Sequence, residues 1–399
     1  MEAHLIEVLG MLVRWLHVIA GIAWIGSSFY FVWLDNSLDA PEPDSEEAKK
    51  GVSGQLWAIH GGGFYNPQKY AVAPARLPEK LHWFKWEAYT TWLSGTALLV
   101  LVYWLNAQSM MVDPSVAVLT TPQAVGIGLA SMVGSWVVYD LICRSPLRRH
   151  NGVIALIVFG LMTLLAFGLT RTFGGRAAYI HVGTSIGTIM AANVFFLIIP
   201  GQKRMVAAMR AGQKPNPEDG IRSKQRSVHN NYFTLPVVFI MISNHYAATY
   251  SHPHAWAILA LIGGAGVLIR VYFNRKHKGY FAWPSLVGAA LLLGIVTVWT
   301  APHVAAIPPV QGAVTLDRVR TIVGQRCVTC HSMTPTFPGI TQPPAGVVLT
   351  TPEGIVQNSQ RIFQQVWVTK IMPLGNATHI TDDERAVIAT WVAAGAPRN

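Results

Sequence analysis

The chain has 399 residues, of which 51% are hydrophobic and only 12% charged, with a formal net charge of +11. That balance points to a membrane protein rather than a soluble one. The positive charge is concentrated in loops between apolar runs, so it predicts no nucleic-acid partner.

About 20 apolar residues are needed to cross a hydrocarbon core of about 30 Å. Such runs fall near 8–33, 87–105, 124–142, 152–170, 180–199, 233–250, 255–273 and 283–300. The first follows an acidic Glu2, is too long for a signal-peptide core and lacks a small-x-small cleavage site, so it is expected to stay as an anchor. With the N-terminus outside, the loops expected in the cytoplasm (34–86, 143–151, 200–232 and 274–282) carry 19 Lys and Arg, against 2 in the outer loops 106–123, 171–179 and 251–254. This is a strong positive-inside bias. The expected fold class is all-α, an eight-helix transmembrane bundle over 1–300 with both ends of the chain in the periplasm.

Ionisable groups within a span are functional candidates by default. His17, His181 and His245 all fall in the outer half of the expected bundle. Each alone could be a buried histidine bonded to a backbone carbonyl; three at one depth suggest substrate groups or ligands of a second, b-type haem. Asn193 and Asp140 lie deeper and are expected to bridge helices.

A second set falls on the cytoplasmic side: His60-Gly61-Gly62-Gly63-Phe64-Tyr65, then Lys69, and His229-Asn230-Asn231 before the sixth span. Glycines allow close backbone approach to a ligand, lysine offers a cation, and the amides offer donors and acceptors. An interfacial belt accounts for the nearby Trp83, Lys85 and Trp86, but not for His60 and its glycines.

Pro302, Pro308, Pro309 and Gly312 mark a linker, 301–313, before a last domain over 314–399. Its signature is Cys327-Val328-Thr329-Cys330-His331. Two thiols at this spacing attach one covalent haem c through thioethers, and the adjacent histidine ligates the iron. A zinc site would need further ligands, and the only other cysteine is the distant Cys143. Met372, followed by Pro373, is the candidate second axial ligand. A helix over 315–323 and another opened by the capping box Thr381-Asp382-Asp383-Glu384 complete the order of a small cytochrome c. Attachment of this haem takes place outside the cytoplasmic membrane, in agreement with the loop charges.

Taken together, the opening Arg14-Trp15-Leu16-His17-Val18-Ile19-Ala20-Gly21-Ile22-Ala23-Trp24-Ile25-Gly26, the His60 loop and the CxxCH tail resemble the bacterial membrane-bound urate oxidases (urate hydroxylases) fused to a cytochrome c. The resemblance covers essentially the whole chain. It implies oxidation of urate to 5-hydroxyisourate at the bacterial inner membrane, with electrons passing through the cytochrome to a soluble or membrane acceptor of the respiratory chain. Cys327, Cys330, His331 and Met372 match the family's haem residues; the urate-binding residues do not carry over. The residues themselves also fit a non-catalytic membrane cytochrome fed by quinol or another partner. A c haem takes one electron whereas the hydroxylation releases two, and an inner substrate site would lie about 30 Å from a periplasmic haem. Either urate binds in the outer half, or a b haem bridges the gap.

Overall fold

A computed structural model describes residues 2–70, 73–74, 76–301, 305–338, 340 and 342–398. Pro302 of the expected linker lies outside the described residues. The chain is mostly helical. Numbering the principal helices, the first 300 residues form α1 (Glu2–Ser37), α2 (Trp86–Leu98), α3 (Thr121–Arg144), α4 (Asn151–Leu169), α5 (Gly175–Ala192), α6 (Pro217–Ile242), α7 (Ala255–Lys276) and α8 (Trp283–Trp299). Among the described residues, five helical stretches are long and apolar enough to cross a membrane: Val8–Ser37, Thr121–Arg144, Asn151–Leu169, Gly175–Arg210 and Ala255–Lys276.

The remaining three expected runs are helical as well, but broken or short. α2 passes into a π-helical stretch, Leu99–Trp104. α6 gives way at Ser243–His245 to a 3₁₀ turn, and α8 is a 17-residue helix. After α5 the chain runs through a π-helical stretch, Asn193–Ile198, into the helix Ile199–Arg210. Pro200 has no N–H and its ring crowds the preceding turn, so the widened turn there has a local cause.

α1 packs on α2, α3 on α5, α6 on α5 and α7, and α4 and α8 on α7. Small residues let the helices close on polar rings. A Cβ on Gly95 would stand 2.8 Å from Cε1 of His17, and one on Gly128 would stand 2.7 Å from Nε2 of His181. A buried polar network ties together α3, the end of α5 and α6. Arg226 donates to Asp140 (2.7 Å) and Asn193 (3.3 Å), and Asn193 donates to Asn230 (2.9 Å) and Tyr139 (3.1 Å). Asp140 and Asn193 therefore bridge helices, as expected of them. Such bonds satisfy groups that an apolar interior would otherwise penalise.

Between α1 and α2 the chain forms two small antiparallel ladders. β1 (Val52–Gln55) pairs with β4 (Gln68–Tyr70), and β2 (Ala58–His60) with β3 (Gly63–Tyr65).

The C-terminal residues form a separate core around Val319, Val323, Ile388 and Trp391, supplied by α9 (Leu316–Arg326) and α10 (Asp382–Ala393). The capping box at α10 is formed: the Thr381 hydroxyl accepts the Glu384 N–H (3.2 Å), and the Glu384 carboxylate accepts the Thr381 N–H (2.8 Å). Arg326 clamps the same carboxylate through Nε (3.1 Å) and Nη2 (3.0 Å), joining α9 to α10.

Candidate functional site

Cys327 and Cys330 sit in the turn after α9 as free thiols. Cys327, Val347 and Met372 pack on one apolar cluster. That packing desolvates the Cys327 thiol and pushes it up to about 12, with the neighbouring Cys330 adding to the effect. The His331 ring is oriented by Nδ1, which donates to the Val347 carbonyl at 3.0 Å. Its Nε2 therefore remains the nitrogen available to a metal. Two unpaired thiols, a histidine held by its far nitrogen and a thioether on the same apolar surface form a donor set that suits a c-type haem.

The loop carrying Met372 lies against the end of the bundle. Ile371 packs against the main bundle core, and it lines one cavity with Met111 and Val112. A Cβ on Gly375, whose φ is +56°, would stand 3.1 Å from the Val112 carbonyl, so a side chain there would crowd this approach from a strained backbone. The same contact encloses a cavity of about 670 Å³, within the usual range for small-molecule sites. Asp113, Arg176, Tyr250 and His252 line it from the bundle side; Lys370 and Arg385 line it from the C-terminal unit.

Arg176 opens α5. Its Nη2 donates to the Tyr250 hydroxyl at 3.3 Å and its guanidinium lies 5.7 Å from the Tyr250 ring centre. Its Nε is buried with no hydrogen-bond partner among the described residues, and no carboxylate pairs with it there. A cation left so short of partners suits an anionic ligand. Lys370 is occupied by Asp382 at 2.9 Å. Asp113 accepts both Ser115 donors on Oδ1, at 3.0 and 2.6 Å, and Oδ2 is without a hydrogen bond among the described residues. Partial burial, with His254 beside it, holds His252 below the usual histidine value. The His254 N–H donates to its Nδ1 at 3.0 Å, so the neutral ring carries its proton on Nε2 and is a donor.

The outer histidines are not brought together as one set. His17 Nδ1 donates to the Thr91 carbonyl (3.0 Å) and lies 3.1 Å from the Ser94 hydroxyl. His181 is fully buried, with Nδ1 on the Ala177 carbonyl (2.8 Å) and Nε2 accepting from Trp104 (3.2 Å). Its ring centre lies 5.0 Å from that of Phe173. His245 is exposed on its turn.

The inner candidates are scattered likewise. His60 ends an exposed hairpin, where Gly61 and Gly62 take positive φ (57° and 80°) to make the two-residue turn. Lys69 pairs with Asp35 at the end of α1. The His229 ring meets the Tyr139 hydroxyl at 2.8 Å, Asn230 donates to the Met190 carbonyl at 2.9 Å, and Asn231 accepts from Arg270.

The model of one protein family, urate oxidase N-terminal, matches residues 3–301. The chain belongs to this family. No curated protein and no solved structure is similar enough to match. The family supports a urate-related oxidoreductase, and the matched region contributes Asp113, Arg176, Tyr250 and His252 to the cavity. None of these residues was a candidate from the sequence. One signal was available: Arg171 and Arg176 are the two cations that break the charge bias of the outer loops.

Proposed function

We propose that this urate oxidase family member is a membrane-bound urate hydroxylase of the bacterial inner membrane. It would span the bilayer eight times, with residues 314–399 as a periplasmic cytochrome c domain. The charge bias of the loops and the apolar helices support that topology. The observation that carries the catalytic reading is Arg176, with its Nε buried and unbonded and no carboxylate pairing with it among the described residues, in a cavity closed by the Met372 loop. Urate is a planar monoanion at neutral pH. Here it meets a cation from Arg176, a ring face from Tyr250 and a donor from His252.

The balance is urate plus water giving 5-hydroxyisourate, two protons and two electrons. Arg176 binds and orients the anion against the wall formed by Ile371 and Leu374. Loss of electrons makes a ring carbon electrophilic, and Asp113 Oδ2 accepts a proton from the attacking water. Cys327, Cys330, His331 and Met372 would hold a c-type haem, whose chemistry would be to accept electrons one at a time. Each urate releases two electrons, so one such haem would have to accept them singly, passing the first to a respiratory-chain acceptor before taking the second.

The test is anaerobic mixing of purified protein with urate while the haem absorbance is followed. Wild type should become reduced. Arg176→Gln should need far more urate for the same rate. A haem that urate leaves oxidised, or equal rates for the two proteins at low urate, would reject the proposal.

A further inference from the structure

At the opposite end of the bundle a second arginine lacks a counter-charge. Arg270, on α7, is 5% exposed. Its Nε and Nη2 donate to Asn231 Oδ1 (3.2 and 2.9 Å), and Nη2 also donates to Asn274 Oδ1 (2.9 Å). Its guanidinium stacks 4.1 Å from the centre of the Phe29 ring. Among the described residues no carboxylate pairs with it, and Nη1 makes no hydrogen bond. Amide oxygens and a ring face solvate a buried cation but do not neutralise it.

Beside Arg270 lies a cavity of about 430 Å³ lined by Phe29, Tyr30, Trp33, Phe273 and His277. The His277 Nδ1 is buried and has no partner among the described residues. Tyr30 (47% exposed) and Phe273 (39% exposed) stand at its open side. α7 begins at Ala255, in the wall of the outer cavity, so Arg270 lies about 22 Å further along the helix at about 1.5 Å per residue. In the topology proposed above, on which this inference rests, that is the cytoplasmic headgroup level, and Arg275, Lys276 and Lys278 follow directly.

The geometry points to a site for one anionic phospholipid of the inner leaflet. The phosphate meets Arg270 Nη1 and His277, and an acyl chain lies along Phe29, Tyr30 and Phe273. Charge complementarity selects the headgroup: a neutral quinone would leave the guanidinium uncompensated, whereas free phosphate or urate would leave the aromatic walls wet. Basic residues between helices at the cytoplasmic face bind anionic headgroups for the same reason.

The test uses the holoprotein in nanodiscs of phosphatidylcholine doped with phosphatidylglycerol, either lipid carrying brominated acyl chains. Trp33 fluorescence, taken as the difference from a Trp33→Phe variant, reports occupancy. Brominated phosphatidylglycerol should quench Trp33 at about tenfold lower mole fraction than brominated phosphatidylcholine. Arg270→Gln should abolish that preference. Equal quenching by the two lipids in wild type would overturn the proposal even if the arginine variant does not fold. Displacement of the brominated lipid by millimolar phosphate or urate would overturn it too, marking a small-anion site. Reduction of the haem by urate is followed in the same discs; its failure would reject the functional reading and leave the lipid preference standing.

Discussion

Arg385 is bonded to the backbone of Met372: its Nη1 donates to the Met372 carbonyl at 2.7 Å, and to the Val366 carbonyl at the same distance. One buried guanidinium therefore holds both ends of the segment that carries the candidate thioether ligand, while also lining the cavity. Arg385→Leu leaves two carbonyls unsatisfied and removes a positive charge near the haem site. The weak long-wavelength band of a methionine-ligated ferric haem should diminish and the potential should fall. An unchanged band and potential would show that the loop holds its shape without the arginine.

Arg176→Gln should raise the urate concentration for half-maximal rate by about tenfold or more, because a hydrogen bond to a charged group contributes about 1.5–3 kcal/mol. Arg176→Lys should recover only part of the loss, since an ammonium cannot reproduce the planar fork. Steady-state kinetics of the three proteins separate this from a folding defect, which would lower the maximal rate without moving half-saturation.

Asp113→Asn should slow turnover by about 100-fold and leave the haem spectrum unchanged. Its half-saturation should move little. If the variant instead turns over at the wild-type rate, the proton passes elsewhere and Asp113 only orders Ser115.

Glu384 gives a pH prediction. Burial alone would raise its carboxyl, but bonding to Arg326 and to Thr381 holds it below its ordinary value of 4.5. The folded form therefore binds fewer protons than the unfolded one. The stabilisation is complete above pH 4.5 and is lost as pH falls through the depressed folded value. Chemical unfolding of the full chain, followed by the haem band, should show wild type losing stability in acid. Glu384→Gln should be less stable by about 2 kcal/mol at neutral pH and flatter in acid. Parallel acid profiles would contradict this.

Gly128→Ala brings a methyl group to within 2.7 Å of His181 Nε2, in the space used by the Trp104 hydrogen bond. Overpacking of this kind costs about 1–3 kcal/mol. Thermal unfolding should record the loss, and Trp104 fluorescence should shift.

The helices were legible because apolar length is a local property, as the capping box at Thr381 is. Lys69 and His60 stand in surroundings that their local sequence does not record. A lysine near a polar loop looks available until Asp35, 34 residues earlier, is found beside it. The glycines after His60 look permissive for a ligand until two of them are seen to turn a hairpin. The cavity was hidden for the same reason. Arg176 and Arg385 stand 209 positions apart, and nothing in the periodicity of either helix records that a loop near residue 375 closes over the first. Only the charge of Arg176, which with Arg171 breaks the scarcity of cations in the loops expected outside, carried a trace of it.

Because Lys370, Ile371 and Arg385 form one wall of the cavity, the C-terminal unit is part of the vessel in which the reaction is proposed to run. Its covalent tether then does more than keep a carrier nearby. A tail joined by a short connection is presented to the bundle at an effective concentration in the millimolar range. A bundle severed after Ala301 would hold an open bowl, and a separately added tail would have to reach about that concentration to close it again.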